Sequence, residues 1–148
     1  MILGIGNDIV DIRRLKATLG RRGDRFRSRL FTKSEQAFCE SKHTPINAYA
    51  RYYAIKEAAV KALGTGFTHG VGWRSIEVVR RKRLKPALVF HGAARQRLTH
   101  MTPKGWMAGH DVSVSDEPPY ASAVVILYAV QAGQQVAPSG PSPYSGDD

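Results

Sequence analysis

The spacing of apolar positions changes several times along the chain, and each change marks an element. Residues 1–6 (MILGIG) form a short apolar run ending in small residues, the pattern of a buried strand. Ile12, Leu15, Leu19 and Phe26 then recur at helical spacing through residues 12–29, with a break expected near Gly20 and Gly23. Thr32 followed by Glu35 is a capping-box pattern and opens a second helix over residues 32–41. The strongest helix signal covers residues 47–63, rich in alanine, with Gly64 placed to stop it. Runs rich in Val and Ile predict strands at 76–79, 87–90, 112–114 and 121–127, with a short helix over 92–98. Strands and helices do not alternate regularly. The pattern therefore predicts an α+β fold, a mainly antiparallel sheet packed with a long helix, rather than a doubly wound sheet.

From residue 131 onward the composition shifts, as Pro, Ser, Gly and Gln crowd out core-forming residues. Such a stretch buries too little apolar surface to offset its ordering entropy, so 131–148 reads as a disordered tail. One folded domain at residues 1–130 remains, and 148 residues are too few for two ordinary catalytic domains. The single Cys39 excludes an intramolecular disulfide and a multi-cysteine zinc site. No apolar run approaches membrane-spanning length, and Asp8 and Asp11 interrupt anything resembling a signal peptide. A soluble cytoplasmic protein is expected.

Charge changes the picture. Twenty-two Lys and Arg against 12 Asp and Glu give a formal charge of +10, which calls for an anionic partner. Much of it lies in one segment: Arg13, Arg14, Lys16, Arg21, Arg22, Arg25, Arg27 and Arg29 face only Asp24 over residues 13–29. That imbalance fits docking of a polyanion or an acidic protein helix better than a merely solvated face. Arg80, Arg81, Lys82, Arg83 and Lys85 read instead as a solvated hairpin loop.

Two groups could carry chemistry. Asp8 follows the opening strand and is placed either as a hard oxygen ligand for Mg²⁺ or as the cap of a helix at 9–15; the local pattern favours the cap. Glu57 and Lys61 are four residues apart and share a helical face. They suit a metal-binding or basic carboxylate beside a phosphate-holding ammonium, or else a plain surface ion pair. Gly64, Thr65 and Gly66 form a turn that lets backbone approach a phosphate. Gly4 and Gly6 lack the third glycine of a dinucleotide fingerprint, since position 9 is Ile9. The five histidines are scattered without metal-ligand spacing, and Ser113 and Ser115 lack a nucleophile elbow.

Three ordered segments carry a family resemblance. Residues 4–12 (GIGNDIVDI) resemble the G-I-G-x-D-I opening of holo-[acyl-carrier-protein] synthases. Residues 56–66 (KEAAVKALGTG) resemble their K-E-A-x-x-K-A-x-G-T-G motif. Residues 112–117 (VSVSDE) followed by Tyr120 and Ala121 resemble their closing strand pair. The similarity covers residues 1–128.

The resemblance implies transfer of 4′-phosphopantetheine from coenzyme A to a serine of an apo acyl carrier protein, supporting fatty acid biosynthesis and leaving adenosine 3′,5′-bisphosphate. It implies Mg²⁺ held by Asp8 and Glu57, with Asp8, Glu57 and Lys61 catalytic: Glu57 takes the serine proton and Lys61 stabilises the leaving phosphate. Lys61, Gly64, Thr65, Gly66 and Arg51 would bind coenzyme A, while Arg13, Arg14, Arg21, Arg22 and Arg25 would receive the acidic carrier protein. It also implies a homotrimer with active sites between subunits, and neither a nucleic acid nor a membrane partner. Two positions depart from the family pattern. Tyr52 stands where many members have Arg, with Arg51 one step earlier, and Asp116 stands where many have His. A nucleic-acid-binding module would explain the charge but leave Asp8, Glu57 and Lys61 without a role, and an inactive trimeric scaffold would not need them.

Overall fold

The computed structural model describes residues 1–80 and 85–133. Strand β1 (Ile2–Asp11) leads directly into helix α1 (Ile12–Leu30), followed by α2 (Lys33–Glu40) and the long α3 (Pro45–Leu63). A 3-10 turn at Trp73–Ser75 precedes the hairpin strands β2 (Ile76–Val79) and β3 (Ala87–Phe90). Helix α4 (Gly92–Met101) and strands β4 (Trp106–Glu117) and β5 (Tyr120–Gln131) complete the domain. The strands form an antiparallel three-stranded sheet in the order β1-β5-β4 and a separate β2-β3 pair, so the α+β expectation holds.

Helix α3 is the centre. Ala48, Ala50, Ala54, Ala58, Ala59 and Ala62 are all buried, and these small side chains let strands approach the helix closely. Pro45 at the first helical turn starts it two residues earlier than the alanine pattern indicated, its fixed φ being preorganised there. Gly64 ends it in the left-handed conformation, φ 71°, as expected. The close approach is tightest at β1. A Cβ on Gly4 would overlap the carbonyl oxygen of Ala62, and one on Gly6 that of Ala58. The two glycines thus serve strand–helix contact.

Other boundaries also differ from the sequence expectation. Strand β1 continues through Asp11, because residues 8–11 pair with β5, Asp8 opposite Ala123 and Asp11 opposite Tyr120. Asp8 is therefore a strand residue and not a helix cap. Asp11 caps α1 instead, accepting from the Arg13 N–H at 2.9 Å. Strand β4 is much longer than 112–114, since polar Asp111, Ser113 and Ser115 dilute its apolar pattern on the exposed side. Gln131, placed in the tail, is the last residue of β5, opposite Trp106; residues 134–148 of the expected tail lie outside those described.

Other expectations hold. The Thr32–Glu35 capping box forms with both reciprocal bonds. Helix α1 is broken at Gly23 (φ 70°, ψ −167°), while Gly20 stays helical. Among the described residues no helix is long and apolar enough to cross a membrane.

Beneath the site, Lys56 and Glu35 form a fully buried ion pair of 2.7 Å. Lys56 Nζ also donates to the carbonyls of Leu30 and Trp73, and Glu35 accepts from the N–H groups of Thr32 and Val78. One pair thereby ties α1, α2, α3, the 3-10 turn and β2 together. Burial pushes the Lys56 ammonium below its ordinary value, and Glu35 pulls the other way.

Candidate active site

Because Gly4 and Gly6 place β1 directly on α3, the residue two further along the same strand face arrives beside the helix's polar stripe. That residue is Asp8. Lys61 Nζ lies 2.8 Å from Asp8 Oδ1 and 2.9 Å from the Asn7 carbonyl oxygen. The plain Glu57–Lys61 surface pair is thus not the arrangement found, as Lys61 reaches across to β1. Glu57, one turn earlier, is partly buried, and its carboxyl is raised above the ordinary value by burial first and by the Asp8 charge second. Lys61 and the Tyr53 hydroxyl pull it back down. Tyr53 itself is pushed up to about 12, chiefly by burial and then by the Glu57 charge. Its ring is held 4.6 Å from Trp73, which stacks on Phe67 at 3.9 Å.

A cavity of about 320 Å³ opens beside this group, lined by Asp8 and Asp11 of β1, Tyr53 and Glu57 of α3, and Arg14 and Phe26 of α1. The basic helix therefore forms the wall opposite Glu57. Arg13, Arg14, Arg21, Arg22 and Arg25 are all exposed along it. Arg13 is committed to Asp11, with contacts of 2.9 and 2.7 Å, and holds that carboxyl down to about 2. Arg22 lies over the Phe26 ring at 4.8 Å.

The remaining candidates lie apart from the cavity lining. Gly64, Thr65 and Gly66 follow the end of α3, with Gly66 also at positive φ, 60°. Arg51 pairs with Asp116 of β4 at 2.8 Å, so one position that departs from the family pattern engages the residue next to the other, Tyr52. Tyr52 is buried and stacked on Phe38 at 5.4 Å, a core role. Sequence reasoning missed Tyr53 and Phe26 as parts of the cavity, although Tyr53 stands one helical turn before Glu57 and its face could have been read from that spacing.

A glycine-lined contact that brings Asp8 beside Lys61, with Glu57, a cavity and a cationic helix next to them, is the candidate site. The chain belongs to the 4′-phosphopantetheinyl transferase superfamily, whose family model matches residues 4–119. Within it, the chain is similar to the holo-[acyl-carrier-protein] synthases. One from Methylorubrum extorquens (strain PA1) is 48% identical over 130 residues, covering 88% of this chain and 96% of that protein. The crystal structure of the synthase from Neisseria meningitidis matches with a TM-score of 0.74 at 31% identity, covering 86% of this chain and 99% of that one. The Helicobacter pylori synthase, crystallised in complex with coenzyme A, matches with a TM-score of 0.70 at 25% identity, covering 84% and 99%.

Proposed function

We propose that this chain transfers the 4′-phosphopantetheine group of coenzyme A to a serine hydroxyl of an acidic apo acyl carrier protein, releasing adenosine 3′,5′-bisphosphate. The observation that carries this reading is the meeting of Asp8, Glu57 and Lys61 at the edge of a cavity walled by the basic helix α1. Glu57 is the general base. Burial and the neighbouring Asp8 charge make its carboxylate more basic than an exposed one, which suits it to accept the serine proton. Lys61 supplies a positive charge for the phosphate oxygen that becomes negative as the bond to the leaving nucleotide breaks. Arg14 faces the same cavity and adds to the cationic wall.

The donor set fits Mg²⁺. Asp8 and Glu57 are two hard carboxylates close enough for the charge of one to raise the other, a repulsion that a divalent cation relieves. Mg²⁺ commonly uses only one or two protein carboxylates, completing its shell with phosphate oxygens and water. Asp8 and Glu57 would hold it, and the ion would supply charge neutralisation to the diphosphate of coenzyme A.

The exposed cations of α1 are the surface for the carrier protein, whose acidic helix they complement. We propose a homotrimer, with the outer face of the main sheet as the surface between subunits. Ile5, Ile9, Met107, Tyr120 and Val124 are exposed on it, a patch suited to burial between subunits. The test is intact mass measurement of an apo carrier protein incubated with this chain, coenzyme A and Mg²⁺. A gain of one phosphopantetheine group, lost with EDTA or with Asp8→Ala, is expected; no gain with any of several carriers would refute the reading.

A further inference from the structure

Away from the site, the β2–β3 hairpin forms a sheet of its own, and among the described residues no backbone hydrogen bond joins it to the main sheet. Its two strands are fastened by different chemistry. On the β2 side the acceptors are carboxylates. Glu35 takes the Val78 N–H at 2.7 Å, and Glu77 accepts from Ser34 at 2.7 Å and Thr32 at 3.2 Å. On the β3 side the acceptor is an imidazole. His110 of β4 takes the Leu88 N–H at Nε2, 2.9 Å away, with the Phe90 ring T-shaped against it at 6.1 Å between centroids.

An imidazole accepts at Nε2 only when it is neutral with its proton on Nδ1. Protonation turns that acceptor into a second donor facing the Leu88 N–H, and the bond is lost. The new charge also arrives beside Asp111, which otherwise holds Lys85, just before β3, at 3.4 Å. Among the described residues, both polar links between the β3 side and β4 thus run through His110 and its neighbour.

Little around His110 offsets that charge. Burial opposes it and holds the ring below its ordinary value, while Asp111 favours it more weakly. Strand β5, which puts Leu127 opposite His110, carries no charged side chain from Tyr120 to Gln131, only the phenols of Tyr120 and Tyr128. Strand β3 carries none. On α3, Arg51, Lys56 and Lys61 are paired with Asp116, Glu35 and Asp8, and Glu57 lines the active cavity. His91, just past β3, lies 3.0 Å from Glu77, a contact that protonation strengthens. Of the fastenings named, only the one at His110 weakens as an imidazole gains its proton.

We propose that His110 is a pH-operated latch, fastening β3 to the main sheet when neutral and releasing it when protonated. Ile76, Val78 and Leu88 are buried in the core, so release is a local opening of the β3 edge and not unfolding of the domain. The opening bears on the site through the chain. Strand β2 follows directly from the 3-10 turn whose Trp73 supports Tyr53, and the Ser75 carbonyl of that turn accepts the His91 N–H at 2.8 Å.

The test is amide hydrogen exchange on the full chain, followed at Leu88 from about pH 7.5 down to about pH 5 and expressed as protection relative to the intrinsic rate. Leu88 protection should fall about tenfold, the loss expected for one hydrogen bond, while Val125 in the middle of the main sheet stays protected. In His110→Asn, which offers a non-titrating acceptor, Leu88 protection should not change with pH. His110→Gln gives the same comparison should the asparagine variant fail to fold. Constant Leu88 protection in the wild type overturns the latch, and so does an equal fall in the variant. A parallel fall at Val125 also overturns it, because the whole domain would then be loosening.

Discussion

Lys61 of α3 and Asp8 of β1, 53 residues apart in sequence, meet at 2.8 Å between Nζ and Oδ1. The contact exists because two glycines on β1 remove the Cβ atoms that would hold the strand off the helix. It pairs a cation with Asp8, one helical turn from Glu57, with Asp8 14% and Lys61 50% exposed. Lys61 is thus half open to solvent, while Asp8 is held on a paired strand.

Glu57→Gln removes both charge and basicity from that site while keeping shape. Transfer should fall roughly a hundredfold or more, the range for loss of a general base. Stability should not fall, because the carboxylate is raised by burial and its charged form is disfavoured in the fold. Steady-state kinetics together with a thermal melt check both halves. Near-normal turnover would remove Glu57 from the mechanism.

Reversing charge at Arg21 and Arg25, exposed on α1 and outside the cavity lining, should raise the KM for the carrier protein and reduce its dependence on salt. The KM for coenzyme A should stay the same. Kinetics at two ionic strengths decide the point, and equal loss for both substrates would show that the helix is structural.

Lys56→Met leaves Glu35 buried without its cation, and the expected cost is about 3–5 kcal/mol. Adding Glu35→Gln should recover part of that loss, since it removes the stranded charge while the amide oxygen can still accept from a backbone N–H. Denaturant unfolding of the single and double variants gives the answer; additive losses would contradict it.

His110 accepts the Leu88 N–H at Nε2, 2.9 Å away, and so links β4 to β3 in its neutral form. Burial lowers its pKa below the ordinary 6.5, against a weaker opposite pull from Asp111. Below 6.5 the unfolded chain therefore binds the proton that the folded one resists, and stability declines as pH falls from there toward the folded value. His110→Asn offers a non-titrating acceptor and should flatten that part of the curve of melting temperature against pH. An identical slope in both proteins would place the pH dependence elsewhere.

Most local structure was legible in the sequence because local chemistry sets it. The capping box at Thr32 and Glu35, the glycine end of α3 and the two short hairpin strands follow from a few neighbouring residues each. The motif resemblance likewise identified Asp8, Glu57 and Lys61 as a set. Local pattern alone misread Asp8 as a helix cap, because a carboxylate before a helix resembles a cap until strand pairing is known. Pairing of β1 with β5 through Asp11 is a long-range fact, and it turned residues 8–11 into strand.

The sequence by itself determined the helices, the capping box of α2, the glycine end of α3, the charge on α1 and the residues able to do chemistry, since these depend on side-chain type and short spacing. Tertiary structure alone decided what those residues meet. It brought Lys61 to Asp8 rather than Glu57, gave Arg51 to Asp116, buried Tyr52 and set Arg97 against the end of α3. Each of these arrangements joins residues that lie on different elements, and only the packing of those elements brings them together.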